Sequence, residues 1–448
     1  MRVAERALAA IVATSFALAG AASVPASINA EQQCDQAALP APPAQRPFYA
    51  LTVHVAANLR TAHGALGVRF TPERATDRLV FRLWPNAPRY ARTGARLSVT
   101  SVREGRRALP VSRPDPTTLV VARPVAAGER VVVSMTWSLV LPGERGVRLK
   151  GGGTSMRLAS FFPLLAWDGS DWALDPAPKL RSEAWTAPTA DFDVVVTKPK
   201  QLRVLATGNN VVPGHWRAEA VRDFTLALAR FTVLRGTAHT PAPVQITVGV
   251  EAARGALAAR TFLGRAVASV ERYSALYGRY PWRTYTVAAM ADLLGLSGGY
   301  EYPTLVYQPS TGENIPHETG HQWFYSLVGN NQARDPWLDE GLATWAEAAL
   351  TGAPPFAGAP IPPEVANRLG EPMSFWEQFD YRLFFLGAYL QGYRALLALG
   401  PRAEVDCALR RYVHDNAYRT ATPRDLLTAL QAFFPDAQQK LEAFGARF

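Results

Sequence analysis

His317, Glu318 and His321 form an H-E-x-x-H run, and eighteen residues separate it from Glu340. Histidines four apart on a helix project from the same face, one turn apart. Their ring nitrogens can then reach one metal ion at about 2 Å each. Glu318 lies beside them, where a carboxylate can take a proton from water held by the metal. A carboxylate from a second helix, Glu340, would complete the ligand set His317, His321, Glu340 and leave one position open. This is the layout of a single zinc ion with a built-in general base. Nitrogen and oxygen donors also accept other divalent ions. No C-x-x-C pattern competes for the metal.

These residues need two helices to position them. Asn314 suits an N-cap, Pro316 suits a first turn, and Gly329 can end the helix, so the spacing predicts about four turns around the motif. Gly320 inside it costs about 1 kcal/mol relative to Ala, which points to close approach by a neighbour. A second helix opens at Pro336, carries Trp337, Leu338, Leu342, Trp345 and Leu350 on an apolar face, and closes at Gly352. Glu340 by itself would be an ordinary first-turn acid favoured by the helix dipole; the histidines make it a ligand candidate.

The segments HETGHQWFYSLVGN and DPWLDEGLATWAE resemble the zinc core of the M1 family of metallopeptidases, the gluzincin aminopeptidases, with the family's N-E-G-like triplet read here as Asp339-Glu340-Gly341. The resemblance implies that His317, His321 and Glu340 ligate zinc and that Glu318 is the base. Gly298-Gly299-Tyr300-Glu301-Tyr302 resembles the family's G-x-M-E-N strand, with Tyr300 in place of Met and Tyr302 in place of Asn. It implies that Gly298, Gly299 and Glu301 bind substrate and that Glu301 holds a free α-amino group. An edge strand can pair with a peptide backbone, and a carboxylate near its end with a terminal ammonium. Tyr389-Leu390-Gln391-Gly392 resembles the family's Y-x-x-G helix and implies that Tyr389 stabilises an oxyanion; Tyr381 and Tyr393 are its nearby competitors. Thr344 and Glu347 are expected to orient the ligands. Trp282, Trp323 and Trp337 are expected to pack the core or the cleft wall.

The chain has 448 residues, enough for two or three domains with sizeable cores. Arg2 and Arg6 precede an apolar run from Ala7 to Ala22 and then small residues, so residues 1–30 read as a secretory signal peptide. The run is short for an anchor, which needs about 18 or more apolar residues, and no stable membrane span is expected after cleavage. The net charge of +10 is dispersed rather than gathered in a basic block, which argues against nucleic acid as a partner. Cys34 and Cys407 could form one intramolecular disulfide in an exported chain.

Residues 31–46 form a Pro-rich linker. From 47 to 250, alternating segments such as Leu51–Val55, Leu79–Leu83, Leu97–Val102, Thr118–Ala122, Arg130–Met135 and Phe192–Thr197 predict an antiparallel β-sandwich or saddle. From 251 to 448 the pattern becomes mainly helical, beginning with a long amphipathic helix over Ala256–Tyr277. The expected class is α+β, a β domain followed by a thermolysin-like catalytic domain. The expected function is an exported zinc aminopeptidase, secreted or held at the cell envelope, acting on peptides with a free N-terminus. Two other readings stay open: an endopeptidase or other hydrolase on the same core, and a catalytically silent peptide-binding protein.

Overall fold

In this computed structural model, the residues described are 34, 38–141, 143, 147–179, 184–251, 255–293, 298–309 and 312–448. The expected signal peptide, and residues 31–33 and 35–37 of the linker, lie outside them.

The N-terminal half is built from alternating strands. Val131–Val140 buries every second side chain, Val131, Val133, Met135, Trp137 and Leu139, and exposes the residues between them. Such a period-2 pattern gives a sheet one core face and one wet face. Eight strands make that sheet, in the order Asn209–Val212, His215–Val221, Ala190–Thr197, Phe48–Val55, Thr61–Phe70, Val131–Val140, Arg96–Glu104, Arg107–Ala108. A four-stranded sheet containing Leu79–Arg82 and Thr118–Val121 shares its core, so the half is a sandwich. The expectation of a purely antiparallel arrangement needs one correction. Phe48–Val55 runs parallel to Ala190–Thr197. A pairing so distant in sequence leaves no mark on local alternation.

A five-stranded mixed sheet follows, in the order Phe231–Ala238, Val244–Glu251, Thr284–Ala289, Leu305–Gln308, Tyr300–Tyr302. Val244–Glu251, Thr284–Ala289 and Leu305–Gln308 are parallel neighbours. Parallel strands need a crossover, and the helix Gly255–Tyr277 supplies the first one. The expected division at 250/251 falls at the end of Val244–Glu251, whose pairing places it in this second sheet with Phe231–Ala238. Tyr300–Tyr302 is the edge strand and pairs antiparallel with Leu305–Gln308.

Helices cover the rest. The second core gathers Phe262, Tyr273, Trp323, Trp337, Leu342, Trp345 and Leu409 among others, so Trp323 and Trp337 are core residues, while Trp282 is only partly buried. Cys34 and Cys407 are disulfide-bonded, tying the N-terminal segment to the helix Arg402–Asn416. No single helix among the described residues is long and apolar enough to cross a membrane.

Candidate metal centre

The motif helix is shorter than its sequence predicts. It spans Ile315–Gly320, and Asn314 makes no side-chain cap. Beyond it the chain turns through wide five-residue hydrogen bonds, from Ser326, Leu327 and Val328 N–H to the carbonyls of His321, Gln322 and Trp323. The second helix, Trp337–Thr351, matches its expected bounds and ends on Gly352 at φ +81°, although Leu350 is exposed. Gly320 explains how the two helices meet. A Cβ there would lie 3.1 Å from Ala346 Cβ and 3.2 Å from Ala343 Cα.

That approach brings three ligand atoms to one point. His317 Nε2 lies 3.2 Å from His321 Nε2, and Glu340 Oε2 lies 3.3 and 3.4 Å from the two nitrogens. A tetrahedral metal with bonds of about 2.0–2.1 Å would set its ligands roughly 3.3–3.4 Å apart, so the residues fit a divalent ion. The outward nitrogens are held by acids. Asp339 Oδ1 lies 2.6 Å from His321 Nδ1, and Glu347 Oε2 lies 3.4 Å from His317 Nδ1. Gln332 Nε2 donates to the other Asp339 oxygen. Carboxylates behind ligating imidazoles fix ring orientation and raise basicity. Thr344 does something else: its hydroxyl donates to the Glu340 backbone carbonyl at 2.6 Å and does not reach a ligand side chain.

The electrostatics suit a cation. Burial opposes charge on His317, but Glu340 and Glu347 outweigh it and raise its pKa to about 10. Burial likewise opposes charge on His321, and Asp339 and Glu301 hold its pKa well above the usual imidazole value. For Glu340, burial would raise the pKa, yet the two histidines hold it well below the carboxylate range.

Glu318 stands beside this triangle. Its Oε1 accepts the Gly299 N–H at 2.8 Å, while its buried Oε2 has no hydrogen-bond partner among the described residues. Burial, opposed by His317, raises its pKa to about 7. Gly299 is required by space, since a Cβ would lie 2.5 Å from Glu318 Cγ. Gly298 is required by conformation, at φ +104°.

Tyr389 lies on the π-helical turn Phe385–Leu390, an irregularity common at functional sites. Its hydroxyl donates to Glu340 Oε1 at 2.5 Å, and its ring stacks on His317 at 5.7 Å. Tyr381 donates to the Tyr389 hydroxyl at 3.3 Å. Tyr393 packs on Trp345 instead, away from the ligands. The Y-x-x-G spacing has a packing reason: Cβ atoms on Gly392 and Gly341 would lie 2.8 Å and 3.2 Å from the other's Cα, so two glycines let these helices touch.

Glu301 lies close by, its carboxylate within 4.8 Å of ligand atoms of His321 and Asp339. It is 4 % exposed, its Oε2 is 3.6 Å from Arg148 Nη2, and its Oε1 has no hydrogen-bond partner among the described residues. The structure thus places Glu301, Glu318, Gly299 and Tyr389 around the His317, His321 and Glu340 cluster, while Thr344 does not reach a ligand side chain. Sequence reasoning missed Asp339, Gln332 and Arg148. The place of Asp339 directly before Glu340 was a usable signal; Arg148, 153 positions before Glu301, offered none.

A buried two-histidine, one-carboxylate cluster with an acid beside it, set between a β-sandwich and helices, defines a metallohydrolase-like architecture. No protein-family model matches the chain. The fold is that of the M1 zinc metallopeptidase from Deinococcus radiodurans, with a TM-score of 0.67 at 18% identity over 91% of this chain and 96% of that one. A mutant of that peptidase bound to a Tyr-Ser-Ala substrate gives 0.64 at 17% identity, over 92% and 97% of the two chains. In sequence the chain is similar to aminopeptidase RNPEPL1 of Mus musculus, 26% identical over 199 residues, which is 37% of this chain and 27% of that protein. It is also similar to human aminopeptidase B, 25% identical over 198 residues, 37% and 30% of the two. The matched region therefore spans less than a third of these relatives' lengths.

Proposed function

We propose that this chain is an exported zinc aminopeptidase, with zinc held by His317, His321 and Glu340. The observation that carries the reading is the geometry around that triangle: a base with one unpartnered buried oxygen, Glu318, and an amine anchor with another, Glu301. A bound zinc ion would supply Lewis acidity, lowering the pKa of water and polarising the scissile carbonyl.

The chain's own residues do the rest. Glu301 Oε1 takes the peptide's terminal ammonium and sets the first peptide bond at the cluster. The edge strand Tyr300–Tyr302 pairs with the peptide backbone. Glu318 accepts a proton from the attacking water and returns it to the leaving amine. The Tyr389 phenol stays protonated, its pKa pushed up by burial and by Glu340, and donates toward the developing oxyanion. Export rests on the leader-like residues 1–30 and on the Cys34–Cys407 bond, a linkage at home in oxidising compartments.

Free and N-acetylated peptides digested side by side, with chelator and zinc add-back, test the reading. Hydrolysis confined to free peptides, lost with chelator and restored by zinc, is expected. Equal cleavage of both peptides would replace it with an endopeptidase, and no cleavage with a binding protein.

A further inference from the structure

Arg148 belongs to the N-terminal β half, two residues before the Lys150–Arg157 bridge, yet it reaches the edge strand of the second sheet. Its guanidinium touches three successive residues there. Nη2 lies 3.6 Å from Glu301 Oε2, Nη1 donates to the Tyr302 hydroxyl at 2.9 Å, and the group stands 4.5 Å from the centre of the Tyr300 ring. Trp185 adds a further aromatic face at 5.8 Å. Both tyrosines that depart from the G-x-M-E-N pattern therefore contact the same arginine, which gives those substitutions a shared physical reason.

The environment makes this contact matter. Glu301, Glu318, Asp339 and Glu340 are all buried in one region, and Arg148 is 3 % exposed beside the first of them. Removing one member of a buried ion pair leaves the other charge without a countercharge. A rigid guanidinium fork stacked on an aromatic ring is also an orienting device, which a flexible ammonium is not.

We propose that Arg148 is a positioning residue for Glu301: it holds Oε2, so that Oε1 alone is presented to a substrate's α-ammonium, and it thereby sets the preference for free N-termini. This rests on the reading of Glu301 as the amine anchor. The β half then contributes to substrate selection without touching substrate, and the distance from anchor to metal cluster depends on both halves.

The test uses isothermal titration on the zinc-loaded full chain, with leucinol and its des-amino analogue, neither of which has a hydrolysable bond, as probes. The ratio of their dissociation constants measures what the amine contributes. Arg148→Met is expected to shrink that ratio roughly tenfold, the scale of one charge-assisted hydrogen bond, while leaving the analogue's affinity unchanged. Arg148→Lys should recover only part of it, and Tyr302→Phe should shrink it less than Arg148→Met. A purely structural role would weaken both probes together. Should Arg148→Met fail to fold, Arg148→Lys and Tyr302→Phe carry the test. A ratio lost in Glu301→Gln but unchanged in the Arg148 and Tyr302 variants overturns the role of Arg148 alone. Equal binding of both probes to the unaltered chain removes the amine-anchor reading, and this inference with it.

Discussion

Tyr389 donates its hydroxyl to Glu340 Oε1, while Glu340 Oε2 faces the two histidine nitrogens. One carboxylate thus links the candidate ligand set to the phenol at one hydrogen bond's remove. The link exists because Gly341 and Gly392 let their helices touch. Tyr389→Phe should keep the metal and lower kcat about 100-fold, the usual scale for removing an oxyanion donor. Tyr381→Phe, one hydrogen bond further out, should cost less. Steady-state kinetics with metal analysis separate the two, and a larger loss in Tyr381→Phe would reassign the role.

Glu318→Gln preserves shape and removes the base. The Gly299 N–H can still donate to the amide oxygen, so the loop should not move. Peptidase activity should fall by about 100- to 10,000-fold while bound zinc stays at one ion per chain. Wild-type turnover in this variant would remove Glu318 from the mechanism.

The parts of this site that were legible in the sequence are those set by helical periodicity and chain punctuation. His317 and His321 share a face by spacing, and Pro336 and Gly352 bracket the second helix as expected. The short motif helix was not legible. Gln322-Trp323-Phe324-Tyr325 suits a continued helix, but tertiary packing buries all four and turns the chain through wide hydrogen bonds instead. Membership of Phe231–Ala238 and Val244–Glu251 in the second sheet was equally hidden, because alternation reports a strand and not its partner. Arg148 is the clearest case: it lies outside any strand yet contacts Tyr300, Glu301 and Tyr302 on the edge strand, a long-range contact to which single-chain patterning is blind.

Metal binding should be linked to pH through His317. Folded and metal-free, it keeps its proton up to about 10, whereas the unfolded imidazole loses it near 6.5. Between those values the native state binds more protons, so metal-free stability falls as pH rises. Zinc requires neutral imidazole, so its binding improves over the same interval. The gap in Tm between zinc-loaded and chelated protein should therefore widen from about pH 7 to about pH 9. Asp339, raised by burial to about 6, titrates below that interval, whereas Glu318, raised by burial to about 7, titrates at its lower end, where losing its proton also favours a cation. A constant gap would contradict the linkage.

Asp339→Asn tests the support behind His321. The amide can no longer supply the charge that faces Nδ1 at 2.6 Å, and Gln332 loses its carboxylate acceptor. Zinc affinity should drop about 10- to 100-fold, with activity recovering at saturating zinc. Competition with a fluorescent zinc chelator gives the affinity directly; an unchanged value would make Asp339 a packing residue.

Gly298 and Gly299 should fail differently when given a side chain. Among the described residues, a Cβ on Gly298 meets only Asn314 Nδ2 at 4.0 Å, so Gly298→Ala has room there but must hold φ +104°. Its cost is backbone strain of about 1–2 kcal/mol, read as a lower Tm. Gly299 has no such φ, and its Cβ would fall 2.5 Å from Glu318 Cγ and 2.6 Å from Gln308 Nε2. Gly299→Ala must therefore push the base itself. A displacement near 1 Å at the reacting group costs about 100-fold in rate, and the overpacking about 1–3 kcal/mol. Kinetics, metal content and Tm measured on both variants should give two signatures: lost stability with nearly full turnover for Gly298→Ala, and lost turnover with zinc retained for Gly299→Ala. Full activity in Gly299→Ala would mean that Glu318 has freedom to retreat, and that the Gly299 N–H is not what aims it.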